Sequence, residues 1–440
     1  MSNNLLNISM ITNEGLMILE NELGFSANIN REYDDRFAVA GAKIGYTVNV
    51  RRPPRFVGTT GPALAVEDFN ETSVPVTLTT QFHVDTQFTT ADLALSLDMF
   101  SNRLLKPAIA TVANRIDFDG LTMGFANVAN TVGTPGSTPS AALTWLQAGA
   151  LLDSEAVPRD GRRSIAMDPW SMAGIVDGLK GLFNPQSALS DNYRKGLIGA
   201  NTLGFDWYMD QNVVAYTVGA QGGSPAFTTT GTSTALLTSG WADQGTLQTS
   251  GWTASANPRL NVGDVFTIAL VTAANPQNRS AFGSNRLRQF VVRPATGTTL
   301  LNGTFAAVTD SAGVVTGGTY SSKSDGTLTL VISPCIISAG QFKNVTVAPA
   351  NSAAITVLGT AGTVSPQNLA YHRNFATLVM ADLEMPEGVH FAGRGMSREA
   401  NLSMRIVRQY TINNDAIPCR IDVLYGWAPL YRELCARVAG

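Results

Sequence analysis

The residues that most often perform catalysis are few in this chain and lie far apart. Its histidines are His83, His372 and His390, and no serine or cysteine in a recognisable nucleophile motif accompanies His372 and its neighbour Arg373. The chain has no G-x-x-x-x-G-K-[ST] loop, no G-x-G-x-x-G after a predicted strand, no G-x-S-x-G and no H-E-x-x-H. We therefore predict no catalytic residues and a protein that is not an enzyme.

Residues of the metal-ligand type also lack the spacing that a metal site requires. Neighbouring carboxylates such as Asp117 and Asp119 are typical of solvated or capping positions at helix ends. The three cysteines are odd in number and lack C-x-x-C spacing, which favours free thiols in a reducing compartment over a disulfide or zinc framework; they are Cys335, Cys419 and Cys435. We predict neither a metal site nor a cofactor.

One compact cluster of charge remains, formed by Arg51, Arg52 and Arg55 among prolines. The planar guanidinium fork suits paired hydrogen bonds to a carboxylate, so we predict that these three residues contact a neighbouring subunit. They could instead be edge charges that prevent unwanted strand pairing. Nucleic-acid contact is a third reading, although a net charge of −3 argues against a large basic binding face.

The elements around this cluster are predicted from hydrophobic periodicity. Residues 44–50 and 74–84 alternate between apolar and polar side chains and predict two strands of a long hairpin with the arginines at its tip. One face of this hairpin is apolar and needs something to cover it. A long helix is predicted from Thr90 to about Phe118. The next helix is predicted to begin at Pro139, with an inner face of Leu143, Leu146 and Ala150.

Residues 221–365 differ in composition from the rest of the chain. They contain no glutamate, no histidine and only eleven charged residues, and they are rich in Thr, Gly, Ser, Ala and Val. This composition predicts a β-rich, barrel-like module inserted into an α/β host, with Val262–Ala269 and Arg288–Val292 as core strands. We expect the strands after the insert to pair with strands before it.

Composition also limits the class of protein. Charged residues make up 14% of the chain, well below the roughly 25% of typical soluble proteins. Either much of the surface is hidden against other subunits, or a β-rich protein exposes Thr and Ser. The chain has no apolar run near the roughly 18 residues that span a bilayer. Its first residues also lack a signal-peptide pattern.

Several phrases, occurring in order, carry a family resemblance. The chain resembles the major capsid (coat) proteins of short-tailed phages, the group typified by the Salmonella-phage coat protein with an insertion domain, and the resemblance covers nearly the whole chain. The phrases are Ile29-Asn-Arg-Glu-Tyr-Asp-Asp35, Gly41-Ala-Lys-Ile-Gly45, Val50-Arg-Arg-Pro-Pro-Arg55, residues 90–98, Phe183-Asn-Pro-Gln186, Gly204-Phe-Asp-Trp-Tyr-Met-Asp-Gln211, Gly263-Asp-Val-Phe-Thr267, residues 404–410 and residues 419–426.

The resemblance implies an α+β protein with the Hong Kong 97-type capsid fold and an inserted β-barrel-like domain. It implies an N-terminal arm at 1–40, an extended β-hairpin loop at 41–89 and a peripheral domain with a long spine helix at 90–190. The axial domain would comprise 191–220 and 366–440, and the insertion domain 221–365.

The function implied by the resemblance is that of a major capsid protein of the virion. Its copies would assemble in the host bacterial cytoplasm, as hexamers and pentamers, into an icosahedral shell. The implied partners are other copies, a scaffolding protein and a portal. Double-stranded DNA would be enclosed without sequence-specific binding, and no membrane is involved. Two other classes stay open: a shell protein of a bacterial nanocompartment, and a tail or fibre protein for host recognition.

Overall fold

The computed structural model describes residues 15–19, 23–31, 47–68, 71–89, 106–179, 202–254, 257–283, 285–297, 300–309, 315–397, 402–412 and 416–440. The chain divides into two compact units. The first draws its described residues from Met1–Val50, Val74–Gly120 and Ala376–Leu430, and the second from Arg51–Ser73, Leu121–Phe375 and Tyr431–Gly440. These units cut across the predicted five-part division, which stays a prediction. Across the described ranges, no helix is both long and apolar enough to span a bilayer.

The helices and strands have the following bounds. The helices are α1 (Lys106–Asn127), α2 (Ala142–Ser154) and α3 (Pro169–Leu179), and residues 15–19 are also helical. The strands are β1 (Thr47–Arg52), β2 (Thr72–Thr77), β3 (Thr80–Thr89), β4 (Thr131–Gly133), β5 (Arg163–Met167), β6 (Asp206–Met209), β7 (Ala215–Thr217), β8 (Gly223–Phe227), β9 (Leu236–Leu237), β10 (Gly245–Trp252), β11 (Pro258–Asn261), β12 (Val265–Thr272), β13 (Leu287–Arg293), β14 (Thr304–Thr309), β15 (Val315–Ser321), β16 (Leu328–Ser333), β17 (Ile336–Ile337), β18 (Ile355–Val357), β19 (Val364–His372), β20 (Ala376–Met380), β21 (Phe391–Ser397), β22 (Leu402–Arg408), β23 (Ala416–Pro429) and β24 (Cys435–Ala439).

The long helix ends later than its sequence pattern predicts. Its predicted start at Thr90 lies outside the described residues, but α1 continues past Phe118 to Asn127. The helix includes Gly120, where an added Cβ would lie 2.6 Å from the Trp427 ring. Glycine at this position lets the helix pack closely against the ring, and the helix continues through it.

The first unit is built on an antiparallel sheet in the order β20-β23-β22-β21, with β3 also paired to β23. One face of α1 covers this sheet. The buried residues of this core include Ile109, Val112, Ile116, Leu378, Met404, Ile421 and Val423. At the same helix, Asp117 is buried and accepts hydrogen bonds from the backbone N–H groups of Gly24 (2.7 Å) and Ser26 (3.0 Å). The solvated or capping position predicted for Asp117 is therefore wrong, because this carboxylate ties residues 24–26 to the helix.

The predicted hairpin is present, since β1 pairs with β2. The second predicted strand is divided in two, and β3 leaves the hairpin to pair with β23. The apolar hairpin residues Val48, Val50, Val76 and Leu78 are already buried within the chain. These four side chains of the face are therefore covered, as predicted, and residues of the same chain cover them.

One sheet of the second unit joins strands from both sides of the insert, as predicted. Its order is β4-β24-β19-β5-β6, in which β19 is antiparallel to β5 and β24. Helices α2 and α3 share a core with this sheet. The predicted inner face of α2 is wrong, because Leu143 and Leu146 are exposed. The buried face instead consists of Trp145, Ala148, Leu151 and Leu152.

The insert forms a closed barrel. Its six antiparallel strands follow the order β18-β12-β13-β16-β10-β8. The ends meet where the Phe227 N–H donates to the Ala353 carbonyl and the Ser352 N–H donates to the Phe227 carbonyl, both at 2.9 Å. Buried residues fill the interior, among them Phe266, Phe290, Leu330 and Ile332. The barrel-like insert is thus confirmed, and β12 and β13 overlap the two predicted core strands.

Candidate assembly interface

The structure separates the three predicted contact arginines into one exposed residue and one pair. The Arg51 side chain is 81% exposed, and its Nη1 lies 3.5 Å from the Glu71 carboxylate. Arg52 and Arg55 instead converge on Oε1 of Glu433, at 2.7 Å and 2.9 Å from their Nη2 atoms. The carboxylate that these two arginines meet here belongs to the same chain. Their contact with a neighbouring subunit stays a prediction.

Aromatic rings complete the surroundings of this pair. The Arg52 guanidinium lies 4.6 Å from the Tyr431 ring centroid and 5.3 Å from that of Trp241. The Arg55 guanidinium lies 5.8 Å from the ring centroid of Phe342. At such distances a ring face attracts a cation, most strongly where water is excluded. We call Glu433, Tyr431, Trp241 and Phe342 the acceptor site.

A rigid turn positions Glu433. The Tyr431 N–H donates to the Phe375 carbonyl at 3.0 Å, and a short 3-10 turn then leads into β24. The neighbouring Arg432 is held by the Asp243 carboxylate at 2.6 Å and by the Ser333 hydroxyl at 2.7 Å. Because Arg432 is engaged there, Glu433 is left for the pair of arginines.

Charge balance at Glu433 favours its ionised form. Burial acts to raise the pKa of this carboxyl, but the positive charges of Arg52 and Arg55 outweigh it and hold the pKa below its ordinary value. A second carboxyl, Glu155, is paired with Arg288, and both side chains are buried. Burial raises the pKa of Glu155, and Arg288 offsets this effect only in part. Glu433 is therefore an ionised carboxylate able to bind two guanidinium groups.

The loop that carries the arginines is held by polar contacts. The Glu67 carboxylate accepts the N–H groups of Val57 (2.8 Å) and Gly58 (2.6 Å), which folds the loop on itself. Arg279 donates to the carbonyls of Phe56 and Val57, and the Gln341 amide donates to that of Asp68. Residues 56–66, which we call the loop tip, are all exposed. Two of its apolar side chains, Leu64 and Val66, are 91% and 82% exposed.

His372 and the three cysteines lie in buried positions. His372 is buried; its Nε2 lies 3.1 Å from Asp160, and its Nδ1 accepts the N–H of Asn374 at 3.2 Å. The cysteines are unbonded to one another and buried. In the part of the chain that the structure describes, no group of three or more His, Cys, Asp or Glu side chains could hold a metal ion.

Glu433 is the residue of this site that sequence reasoning missed. It lies 381 and 378 positions from Arg52 and Arg55. The surrounding letters, Tyr431-Arg-Glu-Leu434, form no motif. The only local signal is a carboxylate two positions after a tyrosine, which is too common to single out a site.

Comparison with known proteins places these features in one family. The sequence profile described as P22 coat protein, gene protein 5, matches residues 40–435. No curated protein matches the chain.

Several solved structures are similar at low sequence identity. A structure from Mycobacterium phage Che8 has a TM-score of 0.46 and 11% identity, covering 94% of this chain and 90% of that one. The mature capsid of bacteriophage PhiM1 has a TM-score of 0.43 and 11% identity, covering 95% and 86%. The capsid of Ralstonia phage GP4 has a TM-score of 0.41 and 8% identity, covering 95% and 89%.

Proposed function

We propose, from the premise that this chain belongs to the P22 coat protein family and is a tailed-phage major capsid protein of the virion, that its copies join as hexamers and pentamers around double-stranded DNA. The family match over residues 40–435 carries this proposal. The closed barrel inserted into a host sheet, whose strands come from both sides of it, supports the proposal. A chain of this family self-assembles into a shell, and its role is structural.

The proposed partners beyond other copies are an internal scaffolding protein and a portal at one vertex. Each contact between copies can be weak, because every subunit makes many contacts and their effects multiply. Weak contacts also let misplaced subunits leave before the shell closes. The net charge of −3 suits a shell that encloses DNA without gripping it.

Within this shell, Arg51, Arg52 and Arg55 are proposed contacts between subunits. The exposure of Arg51 and of the apolar loop tip supports this role, since both are free to meet another copy. Residues 41–89 would then act as the extended loop. The assignment of 1–40, 90–190, 191–220 with 366–440, and 221–365 to the arm, peripheral, axial and insertion domains remains part of the proposal.

Electron microscopy of negatively stained particles tests the proposed function. The chain is expressed alone and together with its scaffolding protein, and both preparations are imaged. We expect closed shells in the second preparation, and far fewer shells when Arg51, Arg52 and Arg55 are all changed to Ala. Discrete trimers in both preparations would contradict the proposal and favour a fibre protein. Normal shells from the triple variant would refute the role of the arginines alone.

A further inference from the structure

We propose that the acceptor site is an intersubunit socket: in the shell it binds Arg52 and Arg55 of a neighbouring copy, and the pairing within one chain is the closed form of the unassembled subunit. This inference rests on the proposed capsid function and adds the partner residues of the contact. The ligand of the socket is the Arg-Pro-Pro-Arg segment of a second copy of this chain.

The chemistry of the socket fits this segment closely. One ionised carboxylate oxygen of Glu433 receives both guanidinium groups, and rings of Tyr431, Trp241 and Phe342 lie beside the two cations. Two cations spaced three residues apart on a proline-stiffened segment match this arrangement. The recognition is therefore specific for a short segment rather than for positive charge in general.

The contact between the loop and the acceptor site is also weak enough to dissociate. None of residues 51–68 or of residue 71 is buried, and the segment is attached to the rest of its unit by ion pairs, ring contacts and hydrogen bonds. Partly exposed ion pairs contribute only about 0–1 kcal/mol each, because water competes for both partners. No apolar core has to be opened when the loop leaves.

Symmetry then makes exchange between copies possible. Every copy carries the same segment and the same socket, so a contact formed within one chain can form between two chains with the same atoms. Exchange conserves these contacts, while the exposed apolar loop tip gains a surface on the neighbour to cover it. The exchanged arrangement is favoured once copies are held at the high effective concentration of a growing shell.

The closed form has a consequence for the free subunit. While Arg52 and Arg55 of its own chain occupy Glu433, the socket is blocked against other copies. The intrachain contact therefore slows association of free subunits, and it is released only when a neighbour supplies an identical segment in the correct geometry.

Charge reversal distinguishes contacts within a chain from contacts between chains. One variant carries Arg52→Glu and Arg55→Glu, a second carries Glu433→Arg, and a third carries all three changes. Each of the first two has like charges at the contact, whether it forms in cis or in trans. When these two are mixed, opposite charges meet only across chains. The third variant restores opposite charges in both arrangements, and circular dichroism checks that each chain is folded.

The yield of shells from each variant and from the mixture is measured by sedimentation. We expect each of the first two variants to lose about tenfold in yield, a change that corresponds to about 1.4 kcal/mol. Mixing them restores most of the yield, as does the triple change. If the triple change restores the yield of shells and mixing does not, the inference is overturned, and the contact forms only within one chain. Unchanged yield in all variants would also overturn it. Wild-type shells in the same experiment show that the capsid function holds in either case.

Chemical cross-linking keeps the inference testable if a reversed chain does not fold. A chain with Asp68→Cys and Gln341→Cys is treated with a short bismaleimide before and after assembly; these two residues lie against each other in the closed form, and Glu433 and both arginines stay unchanged. Background labelling is low because the natural cysteines are buried, and burial raises the pKa of Cys335 to about 12. We expect monomers on a denaturing gel before assembly and ladders of linked chains afterwards. Monomers from both preparations would overturn the exchange.

Discussion

The contact between α1 and the end of β23 can be tested by adding a single methyl group. At Gly120, an alanine Cβ would lie 2.6 Å from Cζ2 of Trp427, 2.9 Å from its Cε2 and 3.0 Å from Cδ1 of Phe25. The Trp427 ring cannot move away freely, since its Nε1–H donates to the Ile116 carbonyl at 3.1 Å. The Gly120→Ala variant is therefore overpacked.

The expected size of this effect follows from two opposing contributions. Replacing glycine by alanine inside a helix stabilises it by about 1 kcal/mol. Forcing a methyl group into a filled contact costs about 1–3 kcal/mol. We expect Gly120→Ala to lower the free energy of unfolding by about 0–2 kcal/mol, so that the usual gain from alanine in a helix is lost.

Urea unfolding followed by circular dichroism measures this change, and a double-mutant cycle isolates its cause. In a Trp427→Leu background the ring is gone and the 3.0 Å contact with Phe25 remains, so Gly120→Ala should then stabilise the chain by up to about 1 kcal/mol. The slope of free energy against urea must stay constant for the comparison to hold. If Gly120→Ala is stabilising in both backgrounds, the close approach of the helix to Trp427 is refuted.

Three further predictions concern the second unit. Gly174→Ala in α3 should raise the free energy of unfolding by about 0.5–1 kcal/mol, because its Cβ would make an ordinary 3.4 Å contact. Gly178→Ala in the same helix should lower the free energy of unfolding, because its Cβ would lie 2.4 Å from the Ser140 carbonyl oxygen. Burial raises the pKa of Asp264 to about 6, so its protonated form stabilises the fold below that pH and the gain is lost as pH rises through 6. Between pH 7 and pH 5, the free energy of unfolding of the wild type should rise by about 1.4 kcal/mol relative to that of Asp264→Asn. Urea unfolding at each pH measures this difference, and the same pH dependence in both proteins would contradict the prediction. Arg51→Ala should change the free energy of unfolding by less than about 0.5 kcal/mol, whereas Arg52→Ala should lower it by about 0.5–1 kcal/mol, the upper part of the range for a partly exposed ion pair. Thermal unfolding measures both changes, and equal effects would contradict the difference in exposure between the two side chains.

Much of the fold could be predicted because composition and periodicity are local signals. The Thr- and Gly-rich stretch predicted the insert, and the core strand predicted at Val262–Ala269 overlaps β12. The errors arose where tertiary contacts decide. Helix α2 has apolar residues on two faces, and only the fold shows that Trp145 is buried while Leu143 is exposed. Similarly, α1 continues through Gly120, where the ring of Trp427, far away in sequence, leaves no room for a side chain.

The candidate site could also be predicted only in part. The sequence drew attention to Arg51, Arg52 and Arg55 because they form the densest local cluster of charge. It gave no reason to pair them with Glu433, since that neighbourhood is created by the turn before β24 and by the rings of the insert. Sequence reasoning therefore found the donor side of the contact and missed its acceptor.

Both the shell and the exchange of arginines between copies can be seen in a cryo-electron microscopy reconstruction of particles assembled from the wild-type chain and its scaffolding protein. We expect a closed icosahedral shell of hexamers and pentamers, with Arg52 and Arg55 of one copy bound to Glu433 of the next. A closed shell in which every Glu433 keeps the arginines of its own chain would contradict the exchange, and a preparation of discrete trimers would contradict the shell itself.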